Sequence, residues 1–310
     1  MGRYSRKDMI EFANFAKSWQ SPQTVEVAYQ RYLKGDRCER MKSNYENRTR
    51  IMLPRRTYTI IRVDGKAFKT YTRGLQRPFD AGLIQDMDET AIYLCKNIQG
   101  AKFGFVQSDE ISILVTDFDT LTTDAWFDGN IQKIVSISAS MATSKFNQLR
   151  WMRYVNERYN NTTDPVNWEW FEGVRKLKLA EFDARTFTIP SKTEVANYMI
   201  WRQVDTVRNS ISSVAQSLYS AKELHGKNTN DMQEMIFQKG INWNDYDPKY
   251  KRGRFIFKQE YEVVPDIKLP EGTPQPDCFS TVIRSRWVSD ECPTFTQNID
   301  FLYGFIPEME

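Results

Sequence analysis

The chain has 310 residues, 40% of them hydrophobic and 14% aromatic, which excludes a polymer that fails to collapse and is enough for one large domain or a catalytic domain with an appendage. The formal net charge is only +3, and there is a single histidine, His225. A multi-histidine metal site is thereby excluded, and chemistry in this chain has to lean on carboxylates.

Residues 1–34 are expected to form a helical N-terminal extension, with Phe12, Phe15 and Trp19 at helical spacing and a break at Ser21-Pro22. The small net charge hides an asymmetry: residues 1–56 hold thirteen Lys/Arg against six Asp/Glu, leaving the remainder at −4. Tyr32 and Tyr45 are interleaved with the basic residues from Arg31 to Arg56. Such a mixture suits a phosphate backbone and stacked bases, and equally a solvated helix face. The run TYTIIRV (57–63) is β-branched and aromatic and reads as a strand entering a turn at Asp64-Gly65. Asp80 caps a helix whose apolar residues fall at Leu83, Ile84, Met87, Ala91, Leu94 and Ile98, and Gly100 stops it. Strands at 101–106 and 111–116 flank Gln107, Ser108, Asp109 and Glu110, which become a hairpin tip. A helix follows across Ile131 to Phe146, then a strand at 184–189, then two helical stretches near 195–204 and 210–219.

A second basic-aromatic stretch at 241–258 has Trp243, Tyr246 and Tyr250 beside Lys249, Lys251, Arg252 and Arg254, and suits nucleic acid or an ordinary loop and edge strand. Residues 261–310 read as a C-terminal tail without an assigned role, so the expected organisation is 1–34, 35–260 and 261–310. Cys38, Cys95, Cys278 and Cys292 include no C-x-x-C pair, and their scatter suits a reducing cytoplasm. No apolar run approaches the roughly 18 residues of a bilayer span, and MGRYSRKDMIEF is too charged for a signal peptide, so no membrane partner is expected.

The order strand, helix, strand, strand, helix, strand predicts an α+β, ferredoxin-like (split βαβ) fold with flanking helices. Its first and third strands are adjacent and antiparallel, which brings Asp64 to Asp109 and Glu110, forty-five residues away in sequence. Three carboxylates at one sheet edge repel one another unless a cation joins them, and Mg²⁺ is the simplest choice because it takes oxygen ligands and keeps sites for water and phosphate. The segment Gly65, Lys66, Ala67, Phe68, Lys69 leaves the strand where N–H groups and two lysines can cradle phosphates, with Arg73 and Arg77 shortly beyond, although no Walker loop is present. Trp201 reads as a core residue before a base-stacking one, and Arg202 and Arg208 as contacts for phosphate or RNA.

The runs IIRVDGKAFKTYTRGLQRPFD (60–80), GFVQSDEISIL (104–114), FDARTFTIPS (182–191), WRQVD (201–205) and INWNDYDPKYKRG (241–253) together resemble the tRNA-His guanylyltransferase family over roughly residues 35–258. The resemblance implies a polymerase-type palm that uses two Mg²⁺ ions, with ATP and GTP as substrates and tRNA as partner, assembled as a homotetramer. Asp64 and Asp109 look like its metal-binding aspartates, Gly65 like the backbone metal ligand, and Glu110 like the acidic residue that follows. Residues 64–69 with Ser108 and Asp109 resemble its nucleotide-binding segments. The implied chemistry activates the 5′-phosphate of tRNA with ATP, lets the 3′-hydroxyl of an incoming GTP attack, and releases AMP. The eukaryotic-type motif H-I-N-N-L-Y-N is replaced here by residues 207–213, Phe79 stands where Asn is usual, and Lys69 where His is frequent. The first two of these departures resemble the branch that repairs 5′-truncated tRNA on a template in the 3′-to-5′ direction. A palm-type nucleotide cyclase and a non-catalytic RNA-binding relative are the alternatives.

Overall fold

The structure is a computed structural model, and it describes residues 37–160, 173, 176–264 and 281–309. The chain divides into two compact units, 1–51 and 52–310. The expected extension at 1–34 lies outside the described residues. Within the first unit, residues 37–49 form short helical turns, and every residue from 37 to 51 is exposed.

The second unit is built on one antiparallel sheet. Strand β1 (Tyr58–Gly65) leads through a single helical turn, Phe68–Tyr71, to helix α1 (Ala81–Asn97). Strands β2 (Ala101–Gln107) and β3 (Glu110–Val115) form a hairpin, followed by helix α2 (Ile131–Asn160) and strand β4 (Phe182–Ile189). Helices α3 (Lys192–Leu218), α4 (Thr229–Gln238) and α5 (Pro248–Arg252) come next, then strands β5 (Arg254–Val263) and β6 (Val282–Glu291) and helix α6 (Ile299–Phe305). The strand order is β4-β1-β3-β2-β5-β6, with antiparallel pairing throughout.

Local chemistry explains the boundaries. Asp80 accepts a 2.7 Å hydrogen bond from the Leu83 N–H and starts α1, satisfying one of the orphan donors of a helix start. Gly100 ends the following turn at φ +80°, and a Cβ there would meet the Thr116 carbonyl at 2.3 Å. Ser191 caps α3 through the Glu194 N–H. The two helical stretches expected at 195–204 and 210–219 are one helix of 27 residues. The polar step at Asn209 and Ser210 contains no glycine or proline, so the helix runs through it, and the Ser210 hydroxyl takes the Trp243 indole N–H at 2.9 Å.

Alternation along the strands feeds two cores. Ile61, Val63, Ile111, Ile113 and Val106 face α1 and α2, where Met87, Leu94 and Phe146 are buried. Tyr58, Ile60, Leu114, Phe103 and Phe105 face the other way, onto Val195 and Met199 of α3 and onto Phe295 and Leu302. Each fully buried side chain of this size contributes roughly 1.5–3 kcal/mol. A third core joins the C-terminal half of α3 to α4 through Ile211, Val214 and Ile236.

The sheet does not stop at residue 260. β5 and β6 pair in register from Arg254↔Glu291 to Val263↔Val282, and Phe295, Leu302 and Ile306 beyond them are buried in the second core. The Gln203 side chain holds this segment, taking the Phe295 N–H at 2.7 Å and donating to the Pro293 carbonyl at 2.9 Å. Polar composition concealed that packing, because aromatics are few and widely spaced before Phe301. The aromatic stretch at 241–258 also turns inward. Phe79 stacks on Tyr250 with centroids 4.9 Å apart, and Lys251 is buried with its ammonium donating to the Asn244 carbonyl. No helix among the described residues is long and apolar enough to cross a membrane.

Candidate functional site

β1 and β3 pair so that Asp64 stands opposite Glu110, while β4 places Asp183 opposite Asp64 and β2 places Gln107 opposite Glu110. Residues paired across antiparallel strands point to the same face. A polar row therefore crosses four strands at one end of the sheet, on the face that α3 covers. Ser108 and Asp109 form the two-residue tip between β2 and β3, with Ser108 in the left-handed region at φ +45°. Ala67, just beyond β1, is left-handed as well at φ +52°. Non-glycine residues in this region carry strain that the surrounding fold must hold, and such residues concentrate at functional sites. The Gly65 N–H donates to the Asp109 carbonyl at 3.1 Å and ties the two segments together. Glycine is required at 65, since a Cβ would lie 2.2 Å from the Phe68 ring.

Helix α3 meets the polar row one turn at a time. The Tyr198 hydroxyl lies 2.9 Å from the Ser112 hydroxyl, Arg202 forks onto Glu110, and Thr206 donates to the Gln107 side-chain carbonyl at 2.8 Å. Residues 198, 202 and 206 are four apart, which places them on one face of the helix. The Arg202–Glu110 pair is bidentate, with Nε and an Nη nitrogen each 2.7 Å from a carboxylate oxygen, and both residues are buried. Arg62 approaches the same carboxylate at 3.9 Å, and its buried Nε has no hydrogen-bond partner. Glu110 is thus neutralised from behind.

Asp109 is treated differently. It is partly buried, and no lysine or arginine forms an ion pair with it among the described residues. Burial first, then the charges of Asp64 and Glu110, push its carboxyl up to about 6 against the pull of the Ser108 side-chain hydrogen bond. Asp64 faces only a distant cation, the Arg185 guanidinium at 3.8 Å, which also reaches Asp183 at 3.6 Å. Asp64 and Asp109 are thus two carboxylates without a close cation among the described residues. No three histidine, cysteine or acidic side chains form a ready cage among the described residues. The expected convergence of three carboxylates therefore reduces to two open ones, the third being committed to Arg202.

The remaining expected residues are distributed unevenly. Lys66 is exposed and pairs with Glu181 at 2.6 Å, which raises its ammonium above the ordinary lysine range. Lys69 and Arg77 are exposed. Phe68 is core, its ring packed on Tyr71, Phe146 and Phe182. Arg202 is buried behind Glu110 and does not present itself to a phosphate, whereas Arg208 is exposed and pairs with Asp205. Trp201, expected in the core, is 55% exposed. Asp183 and Arg185 were not singled out from sequence. Their signal was register: β4 starts at Phe182, two residues earlier than its hydrophobic pattern suggests, and so carries both onto the face of Asp64.

A mixed α+β fold with one antiparallel sheet, ending in a pair of open carboxylates, is the class these features define. The family model described as tRNA-His guanylyltransferase matches residues 38–190. A solved structure titled as a bacterial tRNA-His guanylyltransferase (Thg1)-like protein in complex with ATP is 40% identical, superposes with a TM-score of 0.68, and covers 88% of this chain and 98% of its own. The structure of the Saccharomyces cerevisiae tRNA-His guanylyltransferase is 25% identical at a TM-score of 0.52, over 69% of this chain and 92% of its own. An uncharacterised protein of Acanthamoeba polyphaga mimivirus is 29% identical over 235 residues, 73% of this chain and 77% of the relative. The chain belongs to the tRNA-His guanylyltransferase family.

Proposed function

We propose that this chain is a nucleotidyltransferase that adds nucleotides to the 5′ end of tRNA in the 3′-to-5′ direction, using ATP to activate the 5′-phosphate and GTP or a templated nucleotide as the unit added. Relatives titled as complexes with ATP and with GTP, 40% and 41% identical, support both nucleotides as substrates. The strand order β4-β1-β3-β2 with α1 and α2 on one face supports a ferredoxin-like, polymerase-type palm as its core.

The observation that carries the reading is Asp109, a carboxyl raised by burial beside Asp64 with no cation paired to it. That deficit fits Mg²⁺, which binds through one or two carboxylates plus phosphate oxygens rather than in an all-protein cage. Asp64, Asp109 and the Gly65 carbonyl would hold two ions. Bound there, magnesium supplies charge neutralisation for the phosphates and acidifies the attacking hydroxyl. The protein's own groups do the positioning. Lys66 and Lys69 offer cations to the phosphates of a nucleotide, and the Arg202–Glu110 pair fixes the start of β3 so that Asp109 cannot swing away from Asp64. Phosphoryl transfer asks for little else, because its catalysis is mostly alignment and charge stabilisation, which explains how a chain with one histidine performs it.

The test is extension of a 5′-monophosphorylated tRNA lacking its first nucleotide, in the presence of ATP, GTP and Mg²⁺. Extension by the wild type, abolished in Asp109→Ala with the fold intact, is the expected result. Conversion of free nucleotide to a cyclic product without RNA, or a folded protein that extends no tRNA, overturns it.

A further inference from the structure

Trp201 is a large side chain that none of the three cores absorbs. It is 55% exposed, although it adjoins Arg202, one of the most buried arginines of the protein. The Arg202 guanidinium lies over one face of the indole, 4.5 Å from the ring centroid, and the Tyr198 ring meets it nearly edge-on at 5.8 Å. Arg202 is itself fixed by Glu110 and Asp205. The indole is therefore held rigidly on one side while more than half of it is open to solvent. Burying such a ring against an apolar neighbour gains roughly 1.5–3 kcal/mol, and the fold leaves that gain unused at the residue next to Arg202, which holds Glu110.

The surroundings specify the occupant. Trp201, Asp205 and Arg208 share one flank of α3, being four and three residues apart, and Arg208 is exposed. Tyr198, one turn earlier, packs on Phe187 of β4, so this flank is the one on the β4 side, where the exposed Arg185 approaches Asp64. An open aromatic face with two exposed arginines on the same side of the helix is the combination that binds single-stranded nucleic acid, the ring stacking a base and the cations exchanging their acidic partners for phosphates. The segment carrying Lys66 and Lys69 lies toward the opposite face of the sheet, since Phe68 between them is buried in the core beneath α1 and α2. The two sides of the carboxylates thus suit different reactants, with the triphosphate on the side of residues 66–69 and the RNA on the side of Trp201.

We infer that Trp201 is a stacking platform for the unpaired nucleobase at the end of the RNA substrate. The inference rests on the nucleotidyltransferase reading and adds a base-binding subsite to it. Arg202 serves the platform by covering its inner face, and Arg185 and Arg208 meet the adjoining phosphates.

The experiment is equilibrium binding of a 5′-truncated tRNA carrying 2-aminopurine at the base that truncation leaves unpaired, without catalysis, alongside ATP binding by the same proteins. In the wild type, stacking quenches the 2-aminopurine emission. Trp201→Ala is expected to lose the quench and weaken tRNA binding by about five- to a hundredfold, with the slope of affinity against salt unchanged because no phosphate contact is removed. Trp201→Phe is expected to recover most of both, and ATP affinity to stay within twofold in each variant. Wild-type affinity and quench in Trp201→Ala overturn the platform, as does a parallel fall in ATP affinity, which would make the ring a support for Arg202. A folded wild type that binds no tRNA overturns the nucleotidyltransferase reading as well, so the two failures are distinguishable.

Discussion

Asp86 and Asp109 are carboxylates withdrawn from water, one on a helix and one at the end of the sheet, and they differ in what faces them. Asp86, on α1, is 2% exposed and receives Arg150 at 2.9 Å and Arg153 at 2.7 Å from α2. Two cations on one buried acid make a structural clamp between helices. Asp109, at the tip between β2 and β3, is beside two further acids and has no cation paired to it among the described residues. An acid whose compensation is built into the fold serves the fold, whereas one left uncompensated beside a second open carboxylate is prepared for a charge brought from outside. Glu110 shows how narrow the division is: one residue after Asp109, it belongs to the compensated kind.

The sharpest way to break this comparison is to delete each acid. Asp109→Ala is expected to lower nucleotide addition by about a hundred- to a thousandfold or more, since electrostatic groups at a transition state are worth that much, while melting at neutral pH holds or rises. Asp86→Ala is expected to do the reverse. It leaves Arg150 and Arg153 facing a buried void and costs about 3–5 kcal/mol of stability, read by denaturant unfolding, while the protein that remains folded at low temperature keeps its turnover within a few fold. Loss of chemistry in the Asp86 variant at full folding would erase the distinction.

A smaller effect tests the charge deficit itself. The Asp109 carboxyl titrates near 6 in the folded protein, above its ordinary 3.8, so between these pH values the folded state keeps a proton that the unfolded chain has released. Without divalent cation, stability is then expected to fall as pH rises through about 4 to 6, by up to about 3 kcal/mol. Asp109→Asn should flatten that slope and leave the protein more stable than wild type at pH 7. Magnesium should reverse the difference by binding the ionised form. Melting curves at pH 4.5, 6 and 7.5, with and without the ion, read all three; an unchanged slope in the asparagine variant would mean that Asp109 is compensated after all.

The acids at the strand ends were legible in sequence and their compensation was not, for a physical reason. Asp64-Gly65 and Ser108-Asp109 announce themselves by turn chemistry at strand ends, which is local, and the order of six elements was enough to bring β1 beside β3. The partners of Glu110 and Asp86 lie 92, 64 and 67 residues away, and nothing within a window of a few residues marks an arginine as inward-facing. Arg202 and Trp201 illustrate this as neighbours whose burial is the reverse of what charge and hydrophobicity suggest, because the face of α3 is set by Tyr198 and Thr206 on the sheet. β6 and α6 were missed because their hydrophobic residues meet partners distant in sequence, Trp287 the core that holds Met87 and Leu94, and Phe301 and Phe305 the Phe255 ring of β5.

The smallest expected effect concerns His225, and it tests the premise that this chemistry needs no histidine. His225 is exposed and follows the short helical turn Ala221–Leu224, whose Leu224 belongs to the third core with α4, apart from the two cores that flank the sheet. An exposed side chain in such a place is worth within about 0.5 kcal/mol, and His225 lies outside the segments that carry Asp64, Asp109 and Glu110. His225→Ala is therefore expected to match wild type in both melting temperature and extension rate, with the same pH profile between 6 and 8. A large fall in the extension rate of the folded variant would place a proton-transferring imidazole in the reaction and overturn that premise.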